Sequence, residues 1–339
     1  MSIGKPIGKA FGPSALHRLV QALFFLAMLA CGIQFAFFAA WAMGASELFV
    51  PRPASAEGFL PISALIALKR LVLTGQWDPV HPAGLAILLC ALAAALCLRK
   101  GFCGYVCPLG ALSHWLFRLG ARAGIMHQPS PTFGFLWTLP KYALLGFMLW
   151  IAFGAMDLEA CEAFLLSRYN MVADTKMLLF FLHPSATLLA CLAFLLGGSL
   201  LFPSFWCRCF CPYGALLGLL SACSPLAVRR DPGRCTGCRQ CQAHCPQGIA
   251  VHLAERIASP ECTGCLECQG HCPSQGCLEV RAGWGRRSLR LPWWSMALAT
   301  AGLFLAVWLA AKATGHWDNT LPKSMLRLLH EGIETLRHF

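Results

Sequence analysis

Five stretches of this chain are predominantly apolar over eighteen or more residues, roughly 19 to 44, 82 to 99, 134 to 156, 184 to 203 and 292 to 311. A helix needs about twenty such residues to cross the roughly 30 Å hydrocarbon layer of a bilayer, where water satisfies no backbone polar group. The expected fold is therefore mainly α, a polytopic bundle of about five membrane helices whose two chain ends lie on opposite sides. The apolar part of the first stretch is much longer than the roughly 7–15 residues of a signal-peptide core, so it reads as a retained anchor. Phe59 to Thr74 is apolar but short and carries Lys69 and Arg70, as an interfacial or re-entrant segment would.

Composition agrees with this reading, at 57% hydrophobic and 12% charged residues. The net charge of +12 does not point to nucleic acid, because the basic residues cluster beside the apolar runs. With the N-terminus cytoplasmic, the inner segments (1 to 18, 99 to 133 and 204 to 291) hold 17 Lys/Arg and 5 Asp/Glu, and the outer segments hold 9 and 10. That asymmetry predicts a bacterial inner-membrane protein with a cytoplasmic N-terminus and a periplasmic C-terminus.

Twenty cysteines would suit a secreted disulfide scaffold, but twelve of them fall in four short motifs that each end in Cys-Pro. In a polar insert, Cys235-x2-Cys238-x2-Cys241-x3-Cys245-Pro246 is followed by Cys262-x2-Cys265-x2-Cys268-x3-Cys272-Pro273. In such double runs the fourth cysteine ligates the other run's cluster. One 4Fe-4S cluster is expected on Cys235, Cys238, Cys241 and Cys272, and a second on Cys262, Cys265, Cys268 and Cys245. A zinc site needs only four thiolates, usually as two separated pairs, and fits eight cysteines in two copies of one run poorly. Both clusters call for a reducing compartment, which agrees with the cytoplasmic side assigned from charge. The insert divides the chain into a membrane domain (1 to 228), an α+β double 4Fe-4S ferredoxin-like domain (229 to 290), and a last membrane helix with an amphipathic periplasmic tail (291 to 339).

The other two motifs form an internal repeat. Cys103-Gly-Tyr-Val-Cys107-Pro-Leu-Gly-Ala-Leu112 matches Cys207-Arg-Cys-Phe-Cys211-Pro-Tyr-Gly-Ala-Leu216, and each copy follows an apolar run that opens with His-Pro. A lone Cys-x3-Cys can be two small apolar side chains on one helical face. Two matched copies beside a ferredoxin insert instead offer four thiolates, Cys103, Cys107, Cys207 and Cys211, enough for a third cubane or a mononuclear iron. Cys209 could replace one of them, and Cys277 has no assigned role. His81 and His183, at the outer ends of the two runs, are candidates for a quinol head group, a proton or a haem. The plainer reading makes each an interfacial residue before a helix-starting proline. The outer loop 157 to 182 carries Asp157, Glu159, Glu162, Asp174 and Lys176, which could dock a redox partner or gate quinol entry. In the tail, Met325, Leu328, Leu329, Ile333 and Leu336 are spaced as on an amphipathic helix, to lie on the outer leaflet or against a partner subunit.

From about Phe59 to Val280 the arrangement resembles the membrane-bound polyferredoxins of the NapH/NosR type, which combine several spans, two CxxxCP motifs and a double 4Fe-4S module. The resemblance implies electron transfer between the quinol pool and a dedicated redox partner, often one serving a periplasmic reductase or dehydrogenase. The chain would then be an electron-transfer subunit of an oxidoreductase system, itself quinol-oxidising or fed by a cytoplasmic donor. No large flavin-binding domain precedes the first span, so a flavin or cytochrome would come from a separate subunit. A second reading is a metal reductase or maturation factor similar to the FixG/RdxA membrane ferredoxins, which usually add an Ig-like domain. A third, a redox sensor, would need an output domain.

Overall fold

The computed structural model describes residues 12–128, 130–283, 288–319, 321–333 and 336. Each of the five apolar runs contains a helix. Pro13–Ala42, Gly134–Ala155 and Ser295–Ala313 are long and apolar enough to cross a membrane. Ala173–Leu182 and Ala186–Leu201 make a fourth candidate span, broken by an 84° bend. The helix in the second run, Pro82–Leu98, has 17 residues, the short end of the spanning range. Leu19, Leu23, Leu26, Leu29, Ile33 and Phe37 form an exposed apolar stripe along the first helix. In water that stripe would be a liability, whereas lipid chains cover it.

The chain divides into two compact units. The first comprises Met1–Phe25, Ala91–Leu145 and Ala190–Phe304, and the second comprises Leu26–Cys90, Gly146–Leu189 and Leu305–Phe339. In the first unit the insert is built on a four-stranded antiparallel sheet of β1 (Leu226–Arg230), β2 (Arg256–Ile257), β3 (Leu278–Ala282) and β4 (Leu289–Leu291), in the order β2-β1-β3-β4. The first three residues of β1 and of β3 are buried, and Val228, Ile257, Leu278 and Val280 pack with Tyr105, Val106 and Met296 in one core. Arg99 is buried where the chain leaves the Pro82–Leu98 helix. It donates to the Ser221 carbonyl at 2.8 Å and to the Ser259 carbonyl, tying the second CxxxCP helix to the insert.

In the second unit the short apolar stretch is the helix Pro61–Thr74, capped by Gly75 at φ +71°, a conformation that glycine adopts without strain. Its buried Lys69 donates to the carbonyls of Ala152, at 3.0 Å, and Met156, at the end of a π-helical turn, Trp150–Ala155. An ammonium group thereby satisfies carbonyls that have no partner at a helix end. The tail helix, Lys323–His330, packs within this unit: His330 is buried and shares a hydrogen bond with Thr175 at 3.0 Å, and the Arg327 guanidinium lies 4.8 Å from the centre of the Trp41 ring. Of the apolar face read in the tail, Ile333 is buried beyond the helix end, whereas Met325 and Leu328 are exposed. Lys69→Met strands buried carbonyls, and the expected loss is about 2 kcal/mol of unfolding free energy, measured as a lowered midpoint in detergent denaturation.

Candidate iron–sulfur sites

Each four-cysteine run opens with the same local fold. Gly237 and Gly264, the residues before the second cysteines, lie at φ +70° and +68°, and Arg239 and Leu266, the residues after them, at +57° and +59°. Alternating left-handed residues curl the loop and lead into the short helices Gln240–Ala243 and Glu267–Gly270. One cavity is walled by Cys262, Cys265, Cys268 and Cys245, with Val228, Val251 and Ile257 behind them. The other is walled by Cys235, Cys238, Cys241 and Cys272. Each cavity therefore gathers three thiols of one run and the fourth of the other. Among the described residues no three His, Cys, Asp or Glu side chains close on a single-ion site.

Burial pushes the Cys245 thiol up to about 11 and holds the Cys265 and Cys268 thiols well above the ordinary thiol value. Thiolates at these positions need a cationic core to neutralise them, which an iron–sulfur cluster provides. His244 and His271, each preceding the fourth cysteine of its run, stack with ring centres 3.8 Å apart. Cys277 also lines the Cys235 cavity, and its thiol faces the Asp231 carbonyl at 3.7 Å.

The CxxxCP copies show why proline follows the second cysteine. Cys107 and Cys211 are N-cap residues of Pro108–Arg122 and Pro212–Ala222, with proline in the first turn, where its missing N–H costs nothing. The Cys211 sulfur accepts from the Gly214 amide at 3.2 Å. Both helix N-termini thus bring their positive ends to the thiols. The matched glycines have a steric reason as well. A side chain at Gly110 would meet the Cys103 carbonyl at 2.0 Å, and one at Gly214 would meet the Cys207 carbonyl at 3.2 Å.

The thiols of Cys103, Cys107, Cys207 and Cys211 lie close enough to perturb one another's ionisation. Burial is the main cause that raises them, Cys107 to about 11 and Cys207 to about 12. The Ser113 hydroxyl, on the first copy's helix, is 3.4 Å from the Cys207 sulfur of the second copy. Cys209 is buried, and its charged neighbours are Arg208, Lys141 and Glu261 rather than the other motif thiols.

The first copy adjoins the second ferredoxin run. A side chain at Gly104 would meet the Thr263 carbonyl at 2.8 Å, and the Tyr105 hydroxyl donates to the Gly264 carbonyl at 3.0 Å. Between the two sits a buried ion triad: Glu261, next to Cys262, pairs with Lys100 at 3.3 Å and with Lys141. Burial works against the Lys100 charge, but Glu261 and the thiols of Cys103 and Cys207 outweigh it and raise its pKa. On the other side of the run, His17 and Arg118 hold Glu267 at 3.2 and 3.1 Å and bring it down to about 2 against the effect of burial.

His81 and His183 have different surroundings. His81 is 1% exposed, with Nε2 at 2.7 Å from the Asn170 carbonyl and Nδ1 at 3.1 Å from Arg52 Nη2. Arg52 also grips Asp174, at 2.7 and 2.8 Å, and lies 3.4 Å from Glu57. His183 is exposed, and no hydrogen bond or ion pair among the described residues joins it to His81. In the loop 157 to 182, Asp157 caps its own helix through the Ala160 amide at 2.8 Å, so part of that charge is structural. Sequence reasoning missed the Lys100–Glu261–Lys141 triad and the Arg52–Glu57 partnership. Their one visible trace is a charge, Lys141, inside an apolar run.

Residues 227–273 match the family model of a 4Fe-4S dicluster domain, and residues 80–125 and 185–232 each match that of a 4Fe-4S binding domain. The putative electron transport protein YccM of Escherichia coli is 35% identical over 297 residues, covering 84% of this chain and 80% of that protein. Protein NirI of Paracoccus denitrificans is 30% identical over 202 residues, 57% of this chain and 28% of that protein. An uncharacterized protein of Methanocaldococcus jannaschii is 27% identical over 168 residues, 49% of this chain and 67% of that protein. No solved structure matches. The chain belongs to the family of membrane-bound 4Fe-4S polyferredoxin-type proteins that includes YccM.

Glu261→Gln leaves Lys100 and Lys141 buried without their carboxylate. The expected cost is about 3–5 kcal/mol, read as a large drop in the denaturation midpoint, with Glu261→Asp intermediate.

Proposed function

We propose that this member of the family is an electron-transfer subunit of the bacterial inner membrane, passing electrons between the quinol pool, or a cytoplasmic donor, and a partner redox protein that serves a periplasmic oxidoreductase. The observation that carries the reading is the composition of the two cavity walls, three thiols of one run plus the fourth of the other in each. Cys235, Cys238, Cys241 and Cys272 would hold one 4Fe-4S cluster, and Cys262, Cys265, Cys268 and Cys245 the second. Cys103, Cys107, Cys207 and Cys211 would hold a third centre. When bound, each centre supplies reversible one-electron transfer.

This chain's own residues enclose the thiols in part, aim two helix N-termini at the CxxxCP set and place Lys100 between that set and the second run. The excess of basic residues in the inner segments supports a cytoplasmic N-terminus and insert, with the C-terminus periplasmic. A flavin-binding or cytochrome subunit is the expected partner.

The test is anaerobic purification with iron and sulfide analysis, followed by reduction with a menaquinol analogue under low-temperature EPR. Three cubanes give roughly twelve irons per chain. Cys103→Ala should remove about a third of them, and Cys272→Ala should disturb the cluster signal assigned to the first run rather than the second. Reduced 4Fe-4S signals on quinol addition support the quinol reading. Reduction by dithionite but not by quinol would move the donor to the cytoplasm or to a partner. An iron content unaffected by Cys103→Ala would rule out the third centre.

A further inference from the structure

We propose that a cavity in the second unit, between the Pro13–Ala42 helix, the 3-10 turn Ala54–Phe59 and the Ala173–Leu182 helix, binds the head group of a lipid-soluble quinone, with Asp174 as its polar anchor. The inference rests on the quinol reading above and assigns that reading a place. The cavity measures about 250 Å³. An engineered cavity of about 150 Å³ takes a single benzene ring, so this one has room for a fused two-ring head group. Its walls are apolar, with Gly32, Phe35, Phe59, Met177 and Phe181 among them, and one carboxylate, Asp174, reaches it. Phe59 and Phe181, 42% and 54% exposed, line the cavity from the apolar surface that lipid covers, where an isoprenoid tail can leave.

The carboxylate is held in place from behind. Asp174 is 2% exposed. Its Oδ2 accepts from Arg52 Nε at 2.8 Å and is paired with Nη2 at 2.7 Å, and its Oδ1 accepts from the Thr175 amide at 2.7 Å. A carboxylate has about four acceptor positions, so these three donors leave one for a ligand hydroxyl.

Arg52 is itself fixed by Glu57, 3.4 Å away, and by His81, while Glu57 Oε2 accepts from the Gly84 amide at 3.0 Å. Two buried carboxylates thus face one guanidinium and an imidazole whose ring nitrogens already have partners. The oxygen of this set without a hydrogen-bond partner, Glu57 Oε1, lies 3.4 Å from Arg52 and 3.5 Å from His81 and does not line the cavity, so the acceptor open to a ligand is the remaining position on Asp174. A hydroquinone hydroxyl can donate to that position, and an acyl chain cannot.

The experiment uses the full chain in lipid nanodiscs. Saturable binding of a radiolabelled short-chain menaquinone analogue is measured, and an azido derivative is photo-crosslinked and its adduct mapped by peptide mass spectrometry. Iron content and the denaturation midpoint report folding. Gly32 lines the cavity and a Cβ there would meet nothing within 4 Å, so Gly32→Leu adds bulk at the cavity wall without a clash at its first atom. It is expected to abolish binding at full iron content. Asp174→Asn should weaken binding about tenfold, the loss of one hydrogen bond to a charged group. Adducts should map to the stretches around Gly32 and Met177.

If the wild type binds the quinone while Gly32→Leu binds equally well, or if the adduct maps elsewhere, the site is wrong and the quinol reading stands. If the wild type binds no quinone, whether or not phospholipid occupies the cavity, the site falls. The quinol reading falls with it only if quinol also fails to reduce the clusters.

Discussion

A thiol taken out of water keeps its proton unless something nearby repays the charge, and burial raises thiols of both CxxxCP copies and of the second ferredoxin run in this chain. Much of the first unit answers that constraint. Left-handed residues on both sides of Cys238 and Cys265 curl the ferredoxin loops around their cavities, and proline at the start of two helices turns their positive ends toward the CxxxCP thiols. Lys100 adds a full charge beside Cys103 and Cys207, and it survives burial because Glu261 shares it with Lys141. The same carboxylate adjoins Cys262, so the electrostatics of the repeat and of the second run are tied through one side chain.

The second unit follows a related rule with different partners. Where few waters reach, polar groups must find each other across the sequence. Lys69 ends a helix it does not belong to, and Arg52 joins Glu57, His81 and Asp174 from three separate stretches of chain. Such groups are costly unless fully paired, and their pairing leaves one carboxylate turned to an apolar cavity.

The apolar runs, the ferredoxin insert and the CxxxCP repeat were legible because each is a local pattern with a fixed spacing. That Cys245 and Cys272 each line the other run's cavity was legible for the same reason, since it follows from a known run. What stayed hidden is pairing over distance: nothing in the residues around Glu261 indicates that Lys100 and Lys141 meet it, some 160 and 120 positions away. His81 and His183 look equivalent because each precedes a proline at the head of an apolar run. Burial separates them, one held inside a charge cluster and the other exposed, and burial is a property of the fold rather than of the motif. The tail shows the opposite failure. Its apolar spacing was readable, but that the polar His330 would be the residue to pair inside the chain, with Thr175, was not.

The glycines of the two CxxxCP copies have unequal freedom. At Gly110 the nearest carbonyl stands 2.0 Å from where a methyl group would lie, whereas at Gly214 the distance is 3.2 Å. The halves of this internal duplication are therefore not interchangeable. The first copy has no room for sequence drift at its glycine, and the second has a little. An alanine is therefore excluded at Gly110, whereas at Gly214 a shift of a few tenths of an ångström would admit one.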